Sequence, residues 1–375
     1  MRITLKSKRT ISIIFSIVIA LSISPNAFAV TPHETNIQIH QPIYDKIEAA
    51  ILSILPEKEH YGLNDLNISE LSLGQYIPSF EIVNNKLVPL DLYFYPIFDG
   101  ENKVVSMAAI TTVNGDAIVS ISTAFVEQLQ SIMPDCKVSI VYDSDGPYLL
   151  TQHTMIKLAD YPMNMDFGRS NITAVNSSEL QQANGVSLLG TKPLTLDLQI
   201  RPLGEDDDSI YLAVPKVLQP TGSSICWAAC VASTVNYKYY GPGSAVYTAQ
   251  DIADMYGYNT ALGCAQVINT MNALFSNMQY TNNGGNNNNF PNIWSSLSSK
   301  DSPVIGRFEY STGGGHFMVI RGMNYYGTFS VMDPLEAGAT YRSGTITGTG
   351  NTRNFSIISY TGGSTLTLTH YGYKY

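Results

Sequence analysis

Tight turns punctuate the first half of the chain, and apolar runs with strand character flank each of them. Asn-Gly and Asp-Gly dipeptides favour the two-residue turns that join neighbouring antiparallel strands. The pattern predicts an antiparallel meander over residues 79–158, crossed by a short helix at residues 123–133 and preceded by an amphipathic helix at residues 43–55. The three turns of this kind are Asp99-Gly100, Asn114-Gly115 and Asp145-Gly146.

The second half begins with helical periodicity and ends with strands. An apolar helical run covers residues 226–240, and Thr248 and Asp251 have the spacing of a capping box at the start of the next helix. The asparagine-rich residues 282–289 are predicted as a loop. Helices followed by an antiparallel sheet indicate a segregated α+β fold. Two more helices are predicted at residues 265–275 and 290–297, and strands at residues 304–308, 316–320, 328–332, 355–358 and 366–369.

Charge divides the chain between these two halves. The protein of 375 residues has a formal net charge of -9, which argues against nonspecific binding to nucleic acid. Residues 30–208 hold 24 acidic and 9 basic side chains, against 6 and 8 in residues 209–375. We therefore predict two domains with these bounds, the first of them an acidic α+β domain.

An acidic run at residues 205–208 lies in the polar stretch that joins the two predicted domains. Exposed polar connectors are the segments that proteases cut most easily. The run is either an ordinary linker or a processing site. For a processing site, we expect the cut between Gly204 and Leu212.

The first residues have the parts of a secretory signal peptide. Four basic residues precede an apolar run at residues 11–23, and Ala27-Phe28-Ala29 is a small-x-small cleavage site. A membrane anchor is the alternative, but the apolar run is shorter than the ~20 residues that span a bilayer. We predict a signal peptide at residues 1–29 and a secreted protein, and the short basic leader suggests a bacterium.

Cys226 stands where a loop rich in glycine and serine gives way to the apolar helical run. A thiol at a helix N-terminus feels the positive end of the helix dipole, which favours the reactive thiolate. Cys230 falls inside the helix and is the better structural cysteine, and a bridge between Cys230 and Cys264 stays open. Four cysteines without a second closely spaced pair indicate no metal site and no cofactor.

Three further residues complete a set that could carry out acyl transfer. His316 follows a glycine-rich approach and begins a strand, so it is the candidate base. Asp333 ends the strand that returns from it through a hairpin, which brings the carboxylate and the imidazole to the same end. Gln219, seven residues before Cys226, could donate an N–H to a developing oxyanion. Each residue also has an ordinary structural explanation, as a strand-edge histidine, a turn-forming aspartate or a surface glutamine.

Taken together, these motifs resemble the papain-like cysteine peptidases of clan CA, in particular the compact bacterial branch of secreted and effector proteases. The motifs are Gln219 before Cys226-Trp-Ala-Ala, Gly315-His-Phe-Met-Val-Ile-Arg-Gly322, and Val331-Met-Asp-Pro334. The likeness covers about residues 211–340. It implies a two-lobe peptidase domain with Cys226 as nucleophile, His316 as base, Asp333 in the third position and Gln219 at the oxyanion.

The function that the resemblance implies is a secreted cysteine endopeptidase made as an inactive precursor. Its partners would be a protein or peptide substrate and its own N-terminal segment, residues 30–208, as inhibitor. Two alternatives remain. One is a peptidase that matures leader peptides, and the other is a secreted binding or adhesion module on a peptidase scaffold, with its 24 tyrosines as contact residues.

Overall fold

Two sheets account for the strands of the described part of the chain, the first ending at Pro193 and the second beginning at Ser209. The computed structural model describes residues 41–64, 68–132, 136–152, 154–160, 168–175, 180, 183, 185–188, 192–194, 196, 209–284, 289–324, 327–336 and 338–375. The predicted signal peptide at residues 1–29 and the acidic run at 205–208 lie outside these residues. No described helix is both long and apolar enough to cross a membrane.

The first sheet lies in residues 42–194, which we call the first-sheet region. All three predicted hairpins are confirmed, and Asn114 and Gly115 adopt the positive φ values of 53° and 87° that this turn type needs. Of the helix predicted at residues 123–133, only a short piece forms. The helices are α1 (Gln41–Ile54) and α2 (Val126–Gln130), and the strands are β1 (Ser72–Leu73), β2 (Ile77–Val83), β3 (Lys86–Phe98), β4 (Val104–Val113), β5 (Asp116–Ser122), β6 (Lys137–Tyr142), β7 (Pro147–Thr151), β8 (Met155–Lys157), β9 (Val186–Ser187) and β10 (Lys192–Pro193).

Residues 209–375, which we call the barrel region, begin with one short strand and then turn helical. The capping box of Thr248 and Asp251 is present, with both reciprocal hydrogen bonds. The run at 226–240 is α-helical only to Val235 and ends in one π-helical turn before Gly241. The helices are α3 (Cys226–Val235), α4 (Ala249–Tyr256), α5 (Cys264–Leu274) and α6 (Phe290–Ser298).

The strands of the barrel region close on themselves, where the sequence pattern predicted only an antiparallel sheet. Six strands follow one another around the ring, and the pairing of β14 with β15 closes it. Strand β12 replaces part of the loop predicted at residues 282–289, and β16 was not predicted. The strands are β11 (Ser209–Tyr211), β12 (Tyr280–Gly284), β13 (Val304–Tyr310), β14 (Gly315–Asn324), β15 (Thr328–Met332), β16 (Arg342–Thr347), β17 (Asn354–Ser359) and β18 (Ser364–Lys374).

Strand β16 escaped prediction because its sequence, Arg-Ser-Gly-Thr-Ile-Thr, lacks an apolar alternation, although its first three residues are buried. Gly344 is required there, because a side chain at this position would lie 2.5 Å from the ring of Phe329.

The helices and strands together make the fold α+β, as predicted. Residues 42–375 form a single compact unit, in which the two sheets pack together.

Candidate active site

His316 and Asp333 meet at one end of the β14–β15 hairpin. His316 is the second residue of β14, and Asp333 directly follows β15. The Nε2 atom of His316 lies 2.7 Å from Oδ1 of Asp333, and the two side chains are only 2% and 3% exposed. The antiparallel pairing of the two strands fixes this contact. The hairpin therefore brings His316 and Asp333 together, as the sequence predicted.

Cys226 is the first residue of α3, whose side packs against β14. Its side chain is partly exposed and lies close enough to His316 to contribute to the raised pKa of that imidazole. Because Asp333 occupies Nε2 of the ring, Nδ1 is the nitrogen that remains for the thiol. Within the described residues no side chain caps this end of the helix, whose first N–H groups carry the positive end of the helix dipole. The arrangement thus groups a thiol, an imidazole and a carboxylate, the three kinds of side chain that the sequence analysis selected.

The charges of this site are set by burial and by one another. Burial disfavours the imidazolium, but the Asp333 carboxylate, with a smaller contribution from Cys226, outweighs it and raises the pKa of His316 to about 9. Burial also opposes ionisation of Asp333, but Arg342 and His316 hold the pKa of this carboxyl well below its usual range. An imidazolium next to an ionised aspartate is thus favoured at neutral pH.

The raised pKa of His316 predicts a stability that falls as pH rises. The folded pKa of about 9 lies above the ordinary value of 6.5, so the imidazolium stabilises the folded state fully below pH 6.5 and progressively less up to pH 9. Between pH 6.5 and 8 the loss should be about 2 kcal/mol. Lys216 acts in the opposite sense above pH 8, because burial lowers its pKa to about 8. Urea unfolding at pH 6.5 and 8 measures the effect.

A matched pair of variants isolates the contribution of His316. His316→Gln should lose most of the difference between pH 6.5 and 8, because the amide does not titrate. His370→Gln, at the partly exposed histidine of β18, should keep it. The same pH dependence in both variants would contradict the assignment.

Three charged residues that the sequence analysis did not select lie behind Asp333. Arg342, the first residue of β16, donates to Oδ2 of Asp333 and to the carbonyl oxygen of Ile358, the latter at 2.6 Å. Its Nη1 also lies 3.3 Å from Oε1 of Glu336. Lys216 donates to the carbonyl oxygen of Glu336. Only the scarcity of charged residues in the barrel region could have drawn attention to this cluster, because β16 itself was not predicted.

The two carboxyl groups of this cluster behave differently. Burial raises the pKa of Glu336, and Asp333 adds to this effect, although Arg342 counteracts it. Arg342 is 1% exposed and faces both carboxyl groups. Its guanidinium therefore fixes Asp333 from the side opposite to His316.

Gln219 lies between the loop that precedes Cys226 and the segment that follows Asp333. Its backbone N–H donates to the Pro334 carbonyl oxygen at 3.1 Å, and its Nε2 donates to the Ser223 carbonyl oxygen at 2.9 Å. The second N–H of this amide remains for another acceptor. Within the described part of the chain, its buried Oε1 has no hydrogen-bond partner. The role of Gln219 at an oxyanion stays a prediction.

All four cysteines are free thiols, so the bridge between Cys230 and Cys264 that the sequence left open is not formed. Cys230 is fully buried in α3, and burial raises its pKa well above the ordinary value. Burial likewise raises the pKa of Cys264 to about 12. Both are suited to packing and not to nucleophilic attack. Among the described residues no group of three or more His, Cys, Asp or Glu side chains could hold a metal ion.

No protein-family model matches the sequence, and no curated protein is significantly similar to it. The likeness to papain-like peptidases therefore rests on the motifs around Cys226, His316 and Asp333.

Proposed function

We propose that the protein is a secreted cysteine endopeptidase, with Cys226 as nucleophile, His316 as general base and Asp333 as the carboxylate that orients the histidine. The observation that carries the proposal is the hydrogen-bonded pair of His316 and Asp333 at 2.7 Å, with Cys226 among the groups that raise the pKa of the same imidazole. The β14–β15 hairpin brings His316 and Asp333 together, whereas Cys226 comes from a separate element, helix α3. An activated thiol with an oriented base is the arrangement that acyl transfer requires.

The proposed mechanism uses the charges of the site. In the proposed resting state the proton of Cys226 already lies on His316, which gives a thiolate–imidazolium pair whose cation is stabilised by Asp333. The thiolate attacks the peptide carbonyl carbon, and the N–H groups at the start of α3 and the amide of Gln219 stabilise the oxyanion. His316 then donates its proton to the leaving amine. A water molecule, deprotonated by His316, hydrolyses the thioester and restores the free thiol.

The finer fold proposal is a papain-like domain of two lobes in residues 209–375. Helices α3–α5, followed by strands that form a barrel, support it, because Cys226 comes from the helical part and His316 and Asp333 from the barrel. We further propose that the protein is made as a precursor and is cut between Gly204 and Leu212. Of that interval the structure describes Ser209–Leu212, in which Ser209–Tyr211 pairs with β14.

Covalent labelling with an epoxide inhibitor of thiol peptidases tests the proposal. We expect the label on Cys226 and not on Cys230 or Cys264, because the latter two are buried thiols with raised pKa values. Peptide mapping locates the label, and N-terminal sequencing of the labelled protein tests the cut near Ser209. His316→Gln should slow labelling strongly, whereas His370→Gln should not.

The result separates the alternatives. A chain that takes no label on Cys226 would favour the binding or adhesion module. Labelling of Cys226 together with cleavage of leader peptides but not of unfolded proteins would favour the maturation peptidase. Labelling together with internal cleavage of a casein-like protein substrate supports the endopeptidase.

A further inference from the structure

The barrel region completes the hydrophobic core of the first-sheet region. Tyr360, which follows β17, is fully buried among residues of the first sheet, with its ring centroid 5.4 Å from that of Phe94 and 5.8 Å from that of Phe125. Its hydroxyl lies 2.9 Å from the carbonyl oxygens of Met107 and Ser120. Without Tyr360 this core would contain a hole of the size of an aromatic ring.

Backbone and side-chain hydrogen bonds join β5 to β16 along the same boundary. The N–H of Ile121 donates to Oγ of Ser343 at 2.8 Å, and Ser120 donates to the carbonyl oxygen of Ser343. Thr345 accepts from the N–H of Val119 at 2.9 Å and donates back to its carbonyl oxygen at 3.0 Å. These groups are mostly buried, so separation of the two regions would leave them without partners until water reached them.

A partly buried ion pair crosses the boundary at a second place. Nη2 of Arg321, a residue of β14 that is 0% exposed, lies 2.7 Å from Oε2 of Glu57. The same guanidinium stacks on the ring of Tyr341, 3.8 Å from its centroid. Removal of the first-sheet region would leave the charge of Arg321 without its carboxylate, which is strongly unfavourable for a buried group.

Strand β16 links this boundary to the active site. Side chains alternate between the two faces of a strand, so Ser343 and Thr345 face β5 while Arg342 points to the other face and contacts Asp333. The first-sheet region and the carboxylate that orients His316 are therefore held by opposite faces of one strand.

We propose that the first-sheet region is a permanent part of the enzyme and stays bound to the barrel region after the connector between them is cut. In this state it holds β16 and, through Arg342, the position of Asp333. The binding of the two regions to each other is inferred from their contacts alone. The support of Asp333 by the first-sheet region rests on the proposed peptidase function. An N-terminal segment that only inhibits has to leave its enzyme, and a shared core with a partly buried ion pair opposes such release.

A cut in the connector tests whether the two regions stay together. The full chain carrying Cys226→Ala, which excludes self-cleavage, receives the recognition sequence of a site-specific protease at residues 205–208. After complete cleavage we expect both pieces to elute as one complex in gel filtration. Elution of two separate pieces would overturn the inference.

Two glutamates that lie two residues apart provide a matched comparison. Glu57→Gln removes the charge that pairs with Arg321, whereas Glu59→Gln changes a side chain that is 68% exposed. In the cut complex, Glu57→Gln should lower the urea concentration at which the pieces separate, and Glu59→Gln should leave it unchanged. Equal behaviour of the two variants would show that this ion pair does not help to hold the two regions together.

The support of the active site is tested with the wild-type thiol in the same cut complex. We expect the rate at which iodoacetamide alkylates Cys226 at pH 6 to fall at least tenfold at the urea concentration that separates the pieces, while circular dichroism still reports a folded barrel region. An unchanged rate after separation would show that the first-sheet region does not support the active site. Loss of barrel structure in the same step would show instead that the barrel region does not fold alone, which supports the proposal that the first-sheet region is a permanent part of the enzyme. Failure of the peptidase proposal looks different, because the thiol would then be unreactive in the intact complex that still holds together.

Discussion

Replacement of Cys226 by alanine is expected to lower kcat for peptide hydrolysis on the order of 10⁶-fold, with little change in the fold. Loss of the nucleophile removes the covalent intermediate altogether, and losses of this size follow removal of a nucleophile in other acyl-transfer enzymes. The thiol is partly exposed at the start of α3, so the free energy of unfolding should change by less than about 1 kcal/mol. Turnover of a fluorogenic peptide and thermal unfolding measure the two effects.

Cys230→Ala is the matched control, since it changes the same residue type one helical turn later. Its side chain is fully buried, so the change should cost about 1 kcal/mol of stability through lost packing. Activity should stay within a few-fold of the wild-type value. The reverse pattern, with activity lost in Cys230→Ala and kept in Cys226→Ala, would move the nucleophile.

Replacement of Arg342 by methionine is expected to lower the free energy of unfolding by about 3–5 kcal/mol. The guanidinium is 1% exposed and contacts the carboxyl groups of both Asp333 and Glu336. Methionine fills most of the volume but leaves two buried carboxyl groups without their shared cation. Urea unfolding at pH 7 measures the loss, and Lys103→Met, at an exposed lysine of the first-sheet region, should stay within about 0.5 kcal/mol of wild type.

The same variant should also lose activity through the position of Asp333. Without Arg342 the carboxylate has one partner fewer and can turn away from Nε2 of His316, so kcat should fall more than KM rises. Addition of Glu336→Gln removes one of the two buried carboxyl groups, so the double variant should recover part of the lost stability. Stability of Arg342→Met within about 1 kcal/mol of wild type would show that the cluster does not depend on the guanidinium.

Local signals in the sequence were sufficient to predict several hairpins and the start of one helix. The turn dipeptides predicted three hairpins, and the capping box of Thr248 and Asp251 predicted the start of α4, because such motifs act within a few residues. The contact between His316 and Asp333 also followed from local information, since one hairpin joins their strands. The contact of Cys226 with His316 was expected from the resemblance of the motifs, and spacing alone could not have given it.

The sequence by itself determined the α+β class, the hairpins, the helix that begins at Cys226 and the identity of the residues proposed for catalysis. Only the tertiary structure decided that the strands of the barrel region close into a ring, that Arg342 and Glu336 lie behind Asp333, and that Tyr360 completes the core of the other sheet. Periodicity and turn chemistry act between neighbours in the chain, whereas closure, buried charge pairing and a shared core depend on residues up to hundreds of positions apart. Their energies come from burial, which no short stretch of sequence specifies.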